Sequence, residues 1–278
     1  MQQRRGVKSA MRTFEVLELF AKRRTPLHLL EIYTALGYPQ SSTTNLLKSM
    51  VMMGYLNYNR AKRTYLPTTR ISMLGNWLPG YIQASGGYRQ LAEELQRRTD
   101  ETVGLVSQND LYIQYILMLA PTHEYKSPPN TGAMRLMIDS SAGLPLMARM
   151  KDREIEKIWR YTRYYRLDEG NPISLTDLMR EVNWVRHVGY AYAPKRPTPQ
   201  VSSISMALDG DLFGTPIAIG VGGMADRLAA NQLSIIETMQ ELIQDFAAGS
   251  SSPKHPCRRP KRRSGNSRRV PRGQARSA

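Results

Sequence analysis

One stretch of the chain, GYPQSSTTNLLKSMVMMGYL at residues 37–56, begins with short side chains that donate and accept hydrogen bonds and then turns apolar. At the start of a helix, such side chains can reach base edges in the major groove of DNA, and the helix amides attract phosphate. A helix cap needs only one of them, and Ser41 or Ser42 would suffice. Because the run is longer than a cap requires, we predict base or phosphate contacts from Gln40, Ser41, Ser42, Thr44, Asn45 and Lys48.

A second group of candidates for the same chemistry follows this stretch. Arg60, Lys62 and Arg63 occupy the loop NRAKR between two strand-like segments, YLNY and TYLP. On its own, a charged turn is explained as well by solvation as by binding. Its place directly after the polar helix favours contact with a phosphate or with the minor groove.

Net charge is concentrated at the two ends of the 278-residue chain. Residues 1–80 carry twelve Lys and Arg against three acids, a net charge of +9, and residues 253–278 carry ten against none, a net charge of +10. The 17 basic and 20 acidic residues between them leave the middle at −3, within a total of +16. This distribution predicts a polyanionic partner for the ends alone. The alternative is that the basic ends only aid solubility.

Apolar spacing and turn residues predict three helices that would position the polar run. They are a helix over 8–21, one entered at Thr25-Pro26 and ended by Gly37, and one begun by Pro39 and ended by Gly54. Their expected buried faces are Ala10, Phe14, Leu17 and Ala21, then Leu29, Ile32 and Leu36, then Leu46, Leu47, Met50 and Met53. Three helices followed by a basic hairpin form a winged helix-turn-helix.

The rest of the chain predicts a mixed α+β domain with a curved antiparallel sheet, joined to the first part by a linker helix. After a linker at 79–87, we expect a helix at 88–98 and then a hairpin around Asn109-Asp110. Three helices follow, at 143–149, at 152–166 and from the cap Ser174 to Val188. The last expected elements are strands in GYAYA, VSSISMALD and GTPIAIGVGG, with a turn at Asp209-Gly210-Asp211, and a closing helix from Asn231 to Phe246 lined by Leu233, Ile236, Met239 and Ile243. The expected domain limits are 1–82 for the winged helix-turn-helix, 83–99 for the linker helix, 100–249 for the α+β domain and 250–278 for a disordered basic tail.

Two parts of the chain together resemble the IclR family of bacterial transcriptional regulators, over roughly residues 7–248. LEIYTALGYPQSSTTNLLKSMVMMGYL is similar to the family's helix-turn-helix, whereas GYAYAPKRPTPQVSSISMALDGDLFGTPIAIGVGG and MADRLAANQLSIIETMQELIQDFA are similar to the end of its effector-binding domain. The resemblance implies a homodimer or dimer of dimers that binds double-stranded operator DNA and responds to a small-molecule effector. Repression is the commoner use of the family.

The resemblance also implies where the effector would bind. In the family the ligand lies in a cradle on the sheet, and the matching positions here are Ala142, Gly143, Val201, Ser203, Gly220 and Gly222. The chain departs from the family pattern nearby: residues 193–196 stand where an acid often follows Gly-Tyr-Ala, Ser203 replaces a frequent Cys, and Leu144-Pro145 replaces Gly-Lys.

These departures favour an apolar or aromatic effector, with a carboxylate met by Lys195 or Arg196. The side chains expected near the cradle are Met134, Met137, Tyr112 and Tyr115. The alternative is that these Met and Tyr residues are ordinary core and surface.

Sequence motifs for catalysis, cofactors and metals are absent. The chain has no Gly-x-Ser-x-Gly and no Walker sequence, its four histidines lack metal-ligand spacing, and Cys257 is its only cysteine. We therefore expect no enzyme, no cofactor and no metal. Because we find no signal peptide and no apolar run near the roughly 18 residues that span a bilayer, we expect a cytoplasmic protein without a membrane partner. The rival hypothesis is a constitutive, largely non-specific nucleic-acid-binding protein with a vestigial effector domain.

Overall fold

The computed structural model describes residues 7–78, 87–121, 130–168, 172–196, 198–212 and 214–249. The predicted linker, apart from Gly87, and the predicted basic tail lie outside these residues. The elements of the N-terminal part are α1 (Lys8–Arg23), β1 (Leu27–His28), α2 (Leu29–Leu36), α3 (Gln40–Met52), β2 (Leu56–Asn59), β3 (Thr64–Pro67) and α4 (Arg70–Gly75).

The three predicted helices α1, α2 and α3 share one buried apolar cluster. Val16 and Phe20 of α1 belong to it together with Ile32 of α2 and Leu47 of α3. The face predicted for α1 is only partly right, because Leu17 packs against this cluster whereas Phe14 is 66% exposed. Two apolar stripes of equal spacing run along this helix, and the stripe through Val16 and Phe20 is the one that packs against the other helices.

The entry to α2 also differs from the prediction. Thr25 and Pro26 do not begin the helix but precede β1, which pairs with β3. The helix begins after His28, whose backbone N–H donates to the Glu31 carboxylate at 2.6 Å. This bond satisfies one of the amides that a helix start leaves open. Gly37 ends the helix with φ 67°, as predicted.

The polar helix α3 begins directly after Pro39, as predicted. Its buried side holds Thr43, Leu47 and Met50. Met53, which was predicted on that side too, is mostly exposed. It is the C-cap residue beyond the helix, so helical spacing no longer turns it toward the core.

The predicted hairpin of β2 and β3 is present, and β1 adds a third strand in the order β1-β3-β2. All these pairs are antiparallel, and the rings of Tyr58 and Tyr65 lie 4.7 Å apart, centroid to centroid, across β2 and β3. Three helices followed by this small sheet confirm the winged helix-turn-helix.

The C-terminal part is built on a six-stranded antiparallel sheet in the order β6-β5-β4-β9-β8-β7. Its elements are α5 (Tyr88–Thr99), β4 (Thr102–Asn109), β5 (Tyr112–Leu119), β6 (Met134–Leu136), a 3₁₀ turn (Met137–Asp139), α6 (Gly143–Ala148), α7 (Asp152–Tyr164), α8 (Leu175–Val188), β7 (Ala191–Ala193), β8 (Val201–Leu212), β9 (Thr215–Met224), α9 (Ala225–Ala230) and α10 (Gln232–Gly249). The linker helix, the β4–β5 hairpin and the Ser174 cap of α8 are as predicted, whereas β6 and α9 are not predicted by the sequence.

Alternate residues of the central strands face two different environments. On one face, the strands join side chains of α5 and α10 in a buried cluster that includes Val103, Leu105, Ile204, Ile219 and Val221. The residues between them are small, namely Gly104, Ser203, Ser205, Gly220 and Gly222. One face of the sheet is therefore a packed core. On the other face, a second buried cluster that includes Val106, Ile113 and Ala218 packs with α6 and α8, and the small residues leave open space beside it.

The turn predicted at Asp209-Gly210-Asp211 is wrong. These residues lie inside β8, at a bulge where the pairing with β9 shifts register. Gly210 has φ 102°, and a Cβ there would stand 2.5 Å from the Tyr88 hydroxyl at the start of α5. The chain reverses later, between the paired residues Leu212 and Thr215.

The closing helix α10 is present, and its predicted buried face is confirmed at Ile236, Met239 and Ile243 but wrong at Leu233. Leu233 is 74% exposed, whereas Ile235, Ile236, Met239 and Leu242 are buried. These four residues share one helical face, which packs into the cluster under the sheet, and Leu233 lies outside that face.

Candidate functional site

The exposed face of α3 is the first candidate site. Ser41, Asn45 and Lys48 lie at helical spacing on the side of the helix opposite the buried residues. All three are exposed, and neither they nor Gln40 form a side-chain hydrogen bond within the described residues. Their donors and acceptors are therefore available to a partner.

Other hydroxyls of this helix are already engaged by backbone. Ser42 Oγ donates to the Pro39 carbonyl at 3.0 Å, and Thr44 Oγ1 donates to the Gln40 carbonyl at 2.8 Å. Arg12 of α1, which the sequence analysis did not single out, donates to Ser42 Oγ at 3.4 Å. This contact places a further cation beside the start of α3, and only the basic character of the chain's first segment signalled it.

The tip of the β2–β3 hairpin carries the predicted cations Arg60, Lys62 and Arg63, all exposed. Asn59 Oδ1 accepts the Lys62 backbone N–H at 3.0 Å, and His28 Nδ1 lies 3.2 Å from the Arg63 carbonyl oxygen. No acidic residue within the described ranges forms an ion pair with these cations. Two side chains thus fix the turn on which the positive charges are displayed.

The second candidate site is a cavity of about 440 Å³ on the small-residue face of the large sheet. Strands β4, β5, β8 and β9 contribute to its wall, together with β6 and the segment that leads into α6.

Three serine hydroxyls meet in this cavity. Ser141 Oγ lies 2.7 Å from Ser203 Oγ and 3.2 Å from Ser205 Oγ. A side chain at Gly220 would crowd this cluster, because a Cβ there would stand 2.8 Å from Ser205 Oγ. The cluster offers donors and acceptors but contains no general base, so its arrangement suits the binding of a polar group rather than nucleophilic attack.

Two arginines give the cavity wall a positive balance. Arg135 comes from β6, Arg196 follows β7, and Asp139 is the one acid in the lining. Arg196 Nη1 is held 3.3 Å from the Glu181 carboxylate. Burial raises the pKa of Tyr115, which also lines the cavity, while nearby Arg135 opposes that rise. Tyr115 therefore remains a protonated hydrogen-bond donor at neutral pH, and the arginines favour an anionic group.

The structure brings most of the residues assigned to the cradle together in this cavity. The lining contains Ala142, Val201, Ser203, Gly220 and Gly222, together with Tyr115, Met134 and Arg196. Gly143 does not line it but is buried, and a Cβ there would collide with the Met137 carbonyl oxygen. Met137 is part of the core, and Lys195 and Tyr112 also stay outside the lining.

Several lining residues were missed by the sequence analysis, notably Met118, Arg135, Asp139, Ser141 and Ser205. A signal existed for two of them. Ser141 directly precedes the Ala-Gly pair assigned to the cradle, and Arg135 follows Met134.

Comparison with protein families shows which family the chain, and with it both sites, belongs to. Residues 9–60 match the IclR helix-turn-helix domain, and residues 87–251 match the model described as bacterial transcriptional regulator IclR C-terminal, which alone covers more than half of the chain. The chain belongs to the IclR family. It is accordingly a transcriptional regulator with a helix-turn-helix DNA-binding domain and a C-terminal effector domain.

Individual IclR-family proteins are similar over most of their own length. The HTH-type transcriptional regulator XynR of Escherichia coli K12 is 24% identical over 189 residues, which are 66% of this chain and 73% of XynR. The effector domain of an IclR regulator from Acinetobacter sp. ADP1 is 28% identical, with 58% of this chain and 93% of that domain covered and a TM-score of 0.54. An IclR homologue from Microbacterium hydrocarbonoxydans, solved in complex with 4-hydroxybenzoate, is 17% identical and shares the fold, with coverage of 86% and 99% and a TM-score of 0.62.

The described residues contain no candidate for a membrane-spanning helix and no candidate metal cluster. Among the described helices, none combines the length and apolarity needed to cross a membrane. No group of three or more His, Cys, Asp or Glu residues in the described ranges is placed to hold a metal ion.

Proposed function

We propose that this IclR-family regulator represses transcription by occupying operator DNA, and that a small molecule bound in the sheet cavity changes that occupancy. The observation that supports small-molecule binding is the cavity in the large sheet. Its volume of about 440 Å³ lies within the range of about 300–1,000 Å³ that is usual for small-molecule sites. Small residues, among them Ser203, Ser205, Gly220 and Gly222, line this space and keep it open.

In this proposal the DNA contacts are divided between α3 and the wing, which is the β2–β3 hairpin. Gln40, Ser41, Asn45 and Lys48 meet base edges or phosphates, since their side chains are exposed and make no other hydrogen bond in the described structure. The hydroxyls of Ser42 and Thr44 can only accept a hydrogen bond from DNA, because each already donates its proton to a backbone carbonyl. The three wing cations meet phosphates or the minor groove.

The cavity lining supports an aromatic or apolar acid as the effector. Arg135 and Arg196 can form charge-assisted hydrogen bonds with a carboxylate, while Met118, Met134 and the Tyr115 ring supply apolar walls. The serine hydroxyls suit a second polar group. 4-Hydroxybenzoate carries both groups and is found in the Microbacterium hydrocarbonoxydans homologue, so it is the natural first probe.

Ligand-dependent melting of the purified protein tests the proposal. A ligand at about 100 times its dissociation constant stabilises the folded state by about 2.7 kcal/mol. Benzoate and 4-hydroxybenzoate are expected to raise the melting temperature more than phenol does, and Arg135→Ala with Arg196→Ala is expected to remove that difference. A broad panel of aromatic and apolar acids without any shift would count against a sensor.

The Gly222→Leu substitution is expected to abolish stabilisation by ligand while leaving the fold intact. A Cβ at Gly222 would approach only the Ser202 carbonyl oxygen, at 3.9 Å, so a larger side chain would enter the cavity without displacing backbone. Ser234→Leu adds the same side chain at an exposed position of α10 and serves as the matched control. If Gly222→Leu responded to ligand as the parent does, the effector site would have to lie elsewhere.

The charge at the chain ends supports a second candidate, a constitutive and largely non-specific nucleic-acid-binding protein. The first 80 residues carry a net charge of +9 and residues 253–278 carry +10. Such charge binds any duplex through phosphates and releases counterions. This candidate predicts equal binding of operator and scrambled DNA and no effect of any ligand.

Deletion of residues 253–278 is expected to weaken binding to all duplexes alike and to flatten its salt dependence. Each phosphate that the shortened protein no longer neutralises reduces the slope of log affinity against log salt by about 0.9. Fluorescence anisotropy over a salt series measures the slope. A slope identical to that of the full chain would show that the tail does not bind phosphates.

We also propose a homodimer or dimer of dimers. Phe14 on α1 and Met73 and Leu74 on α4 expose large apolar side chains that self-association would cover. Sedimentation equilibrium should give a multiple of the 31.6 kDa chain mass, and a monomer at micromolar concentration would contradict the proposal.

A further inference from the structure

The end of α7 and the turn after it expose an unusual number of aromatic rings. Tyr161, Tyr164 and Tyr165 are 43%, 77% and 57% exposed. Cations are interleaved with them along the helix, and we define the α7 surface as Lys157, Arg160, Tyr161, Tyr164, Tyr165 and Arg166. None of these residues lines the cavity.

The rings of the α7 surface are arranged against one another rather than against the core. Tyr161 and Tyr165 are stacked, with centroids 6.1 Å apart and planes 16° apart, and Tyr164 meets Tyr165 edge to face at 5.2 Å. The other side of α7 buries Ile155 and Thr162. The tyrosines are therefore not part of the core. Clustered exposed aromatic side chains usually mark an interaction site.

The cations of the α7 surface are only partly neutralised. Glu156 lies 3.9 Å from Arg160, which is the longest of the ion pairs on this helix. Lys157 sits 5.9 Å above the Tyr161 ring, and neither Lys157 nor Arg166 forms an ion pair within the described part of the chain. The surface thus combines flat rings with free positive charge.

We infer that the α7 surface binds single-stranded nucleic acid, with bases stacked on the tyrosines and phosphates beside the cations. Ring faces next to positive side chains are the features that bind unpaired strands without regard to sequence. Duplex DNA cannot use the rings, because its bases are stacked inside the helix. An acidic protein segment would meet the cations but offers few flat groups for three rings. A second copy that met this surface with the same surface would bring like charges together. This activity is separate from operator binding through α3.

The test uses the full-length protein and two labelled single strands of equal length and charge. One is an oligothymidylate of about 12 nucleotides, within the usual site size, and the other is the same strand with abasic sites. Any contact of the basic chain ends with phosphates is common to both strands, so only the ratio of the two affinities reports stacking. We expect a preference for the oligothymidylate of at least about tenfold, as one stacked base would give.

Substitution of the tyrosines is expected to remove that preference. Tyr161→Ala, Tyr164→Ala and Tyr165→Ala in one chain should bind both strands alike and bind duplex DNA as the parent does. Tyr164→Ala alone, at the most exposed ring, should lose part of the preference and keeps the test decisive if the triple variant melts early. Trp184→Ala is the matched control, since Trp184 on α8 is exposed but makes no ring contact with these tyrosines within the described structure.

The cations have a separate expected effect. Lys157→Gln with Arg166→Gln should weaken binding of both strands equally and leave their ratio unchanged, because phosphates are common to both. Equal binding of the two strands by the parent protein would overturn the inference, as would a triple variant that keeps the preference. A lower sedimentation mass of the triple variant, without any change in the ratio, would assign the surface to contact between copies instead.

Discussion

The Asn45→Ala substitution is expected to reduce the preference for operator over scrambled duplex DNA by about 1–3 kcal/mol, or about 5- to 150-fold in the affinity ratio. Asn45 is exposed on α3, and its amide makes no other hydrogen bond in the described residues. An asparagine amide can donate to and accept from one adenine edge at once, whereas the alanine methyl can do neither. Phosphate contacts do not distinguish the two duplexes, so affinity for the scrambled duplex should change little.

Fluorescence anisotropy measures this effect, with a labelled duplex from upstream of the protein's own gene and a scrambled duplex, at two salt concentrations. Asn57→Ala removes the same side chain from an exposed position of β2 and should keep the preference. Lys48→Ala should weaken binding to both duplexes alike and lower the slope of log affinity against log salt by about 0.9. An unchanged affinity ratio in Asn45→Ala would remove Asn45 from the base contacts. Absence of any preference in the parent protein would favour the non-specific candidate or an operator elsewhere.

The Gly143→Ala substitution is expected to destabilise the effector domain by about 3 kcal/mol or more, at the upper end of what overpacking costs. Gly143 is the first residue of α6 and is buried. A Cβ added there would collide with the Met137 carbonyl oxygen, which is backbone and cannot rotate away. The 3₁₀ turn and α6 would have to separate, and that movement would also deform the wall of the cavity beside Ala142.

Thermal denaturation followed by circular dichroism measures the loss. For a domain of this size, about 3 kcal/mol corresponds to a fall in melting temperature of about 10 °C. Gly222→Ala is the matched control, because the added Cβ would have only the 3.9 Å contact with the Ser202 carbonyl oxygen. Equal melting temperatures of the two variants would show that the turn before α6 yields easily.

The winged helix-turn-helix could be predicted from the sequence because its signals are local. Gly37 and Pro39 mark a helix end and the next helix start, and both act where the structure has them. The buried face of α1 could not be predicted in the same way. Two stripes of equal spacing compete there, and only packing against α2 and α3 selects Val16 and Phe20 over Phe14.

The cavity was predictable where family resemblance supplied positions and was missed where the fold brings distant segments together. Ser203 and Gly220 belong to adjacent strands of the matched region. Arg135 and Ser141 reach the same cavity from β6 and the segment before α6, and no periodicity in the sequence connects them with β8. The turn residues Asp209-Gly210-Asp211 misled the prediction, since a bulge and a turn both favour glycine at positive φ.

The alternation of the large sheet has a consequence for how such regulators diversify. Ile204 and Ile219 hold the sheet to its helices, whereas their neighbours Ser203, Ser205 and Gly220 face the cavity. Point substitutions in the second set alter what the cavity accepts and leave the packing of the first set untouched. Descendants of one ancestral domain can therefore exchange one chemical signal for another by small steps, each compatible with a folded protein.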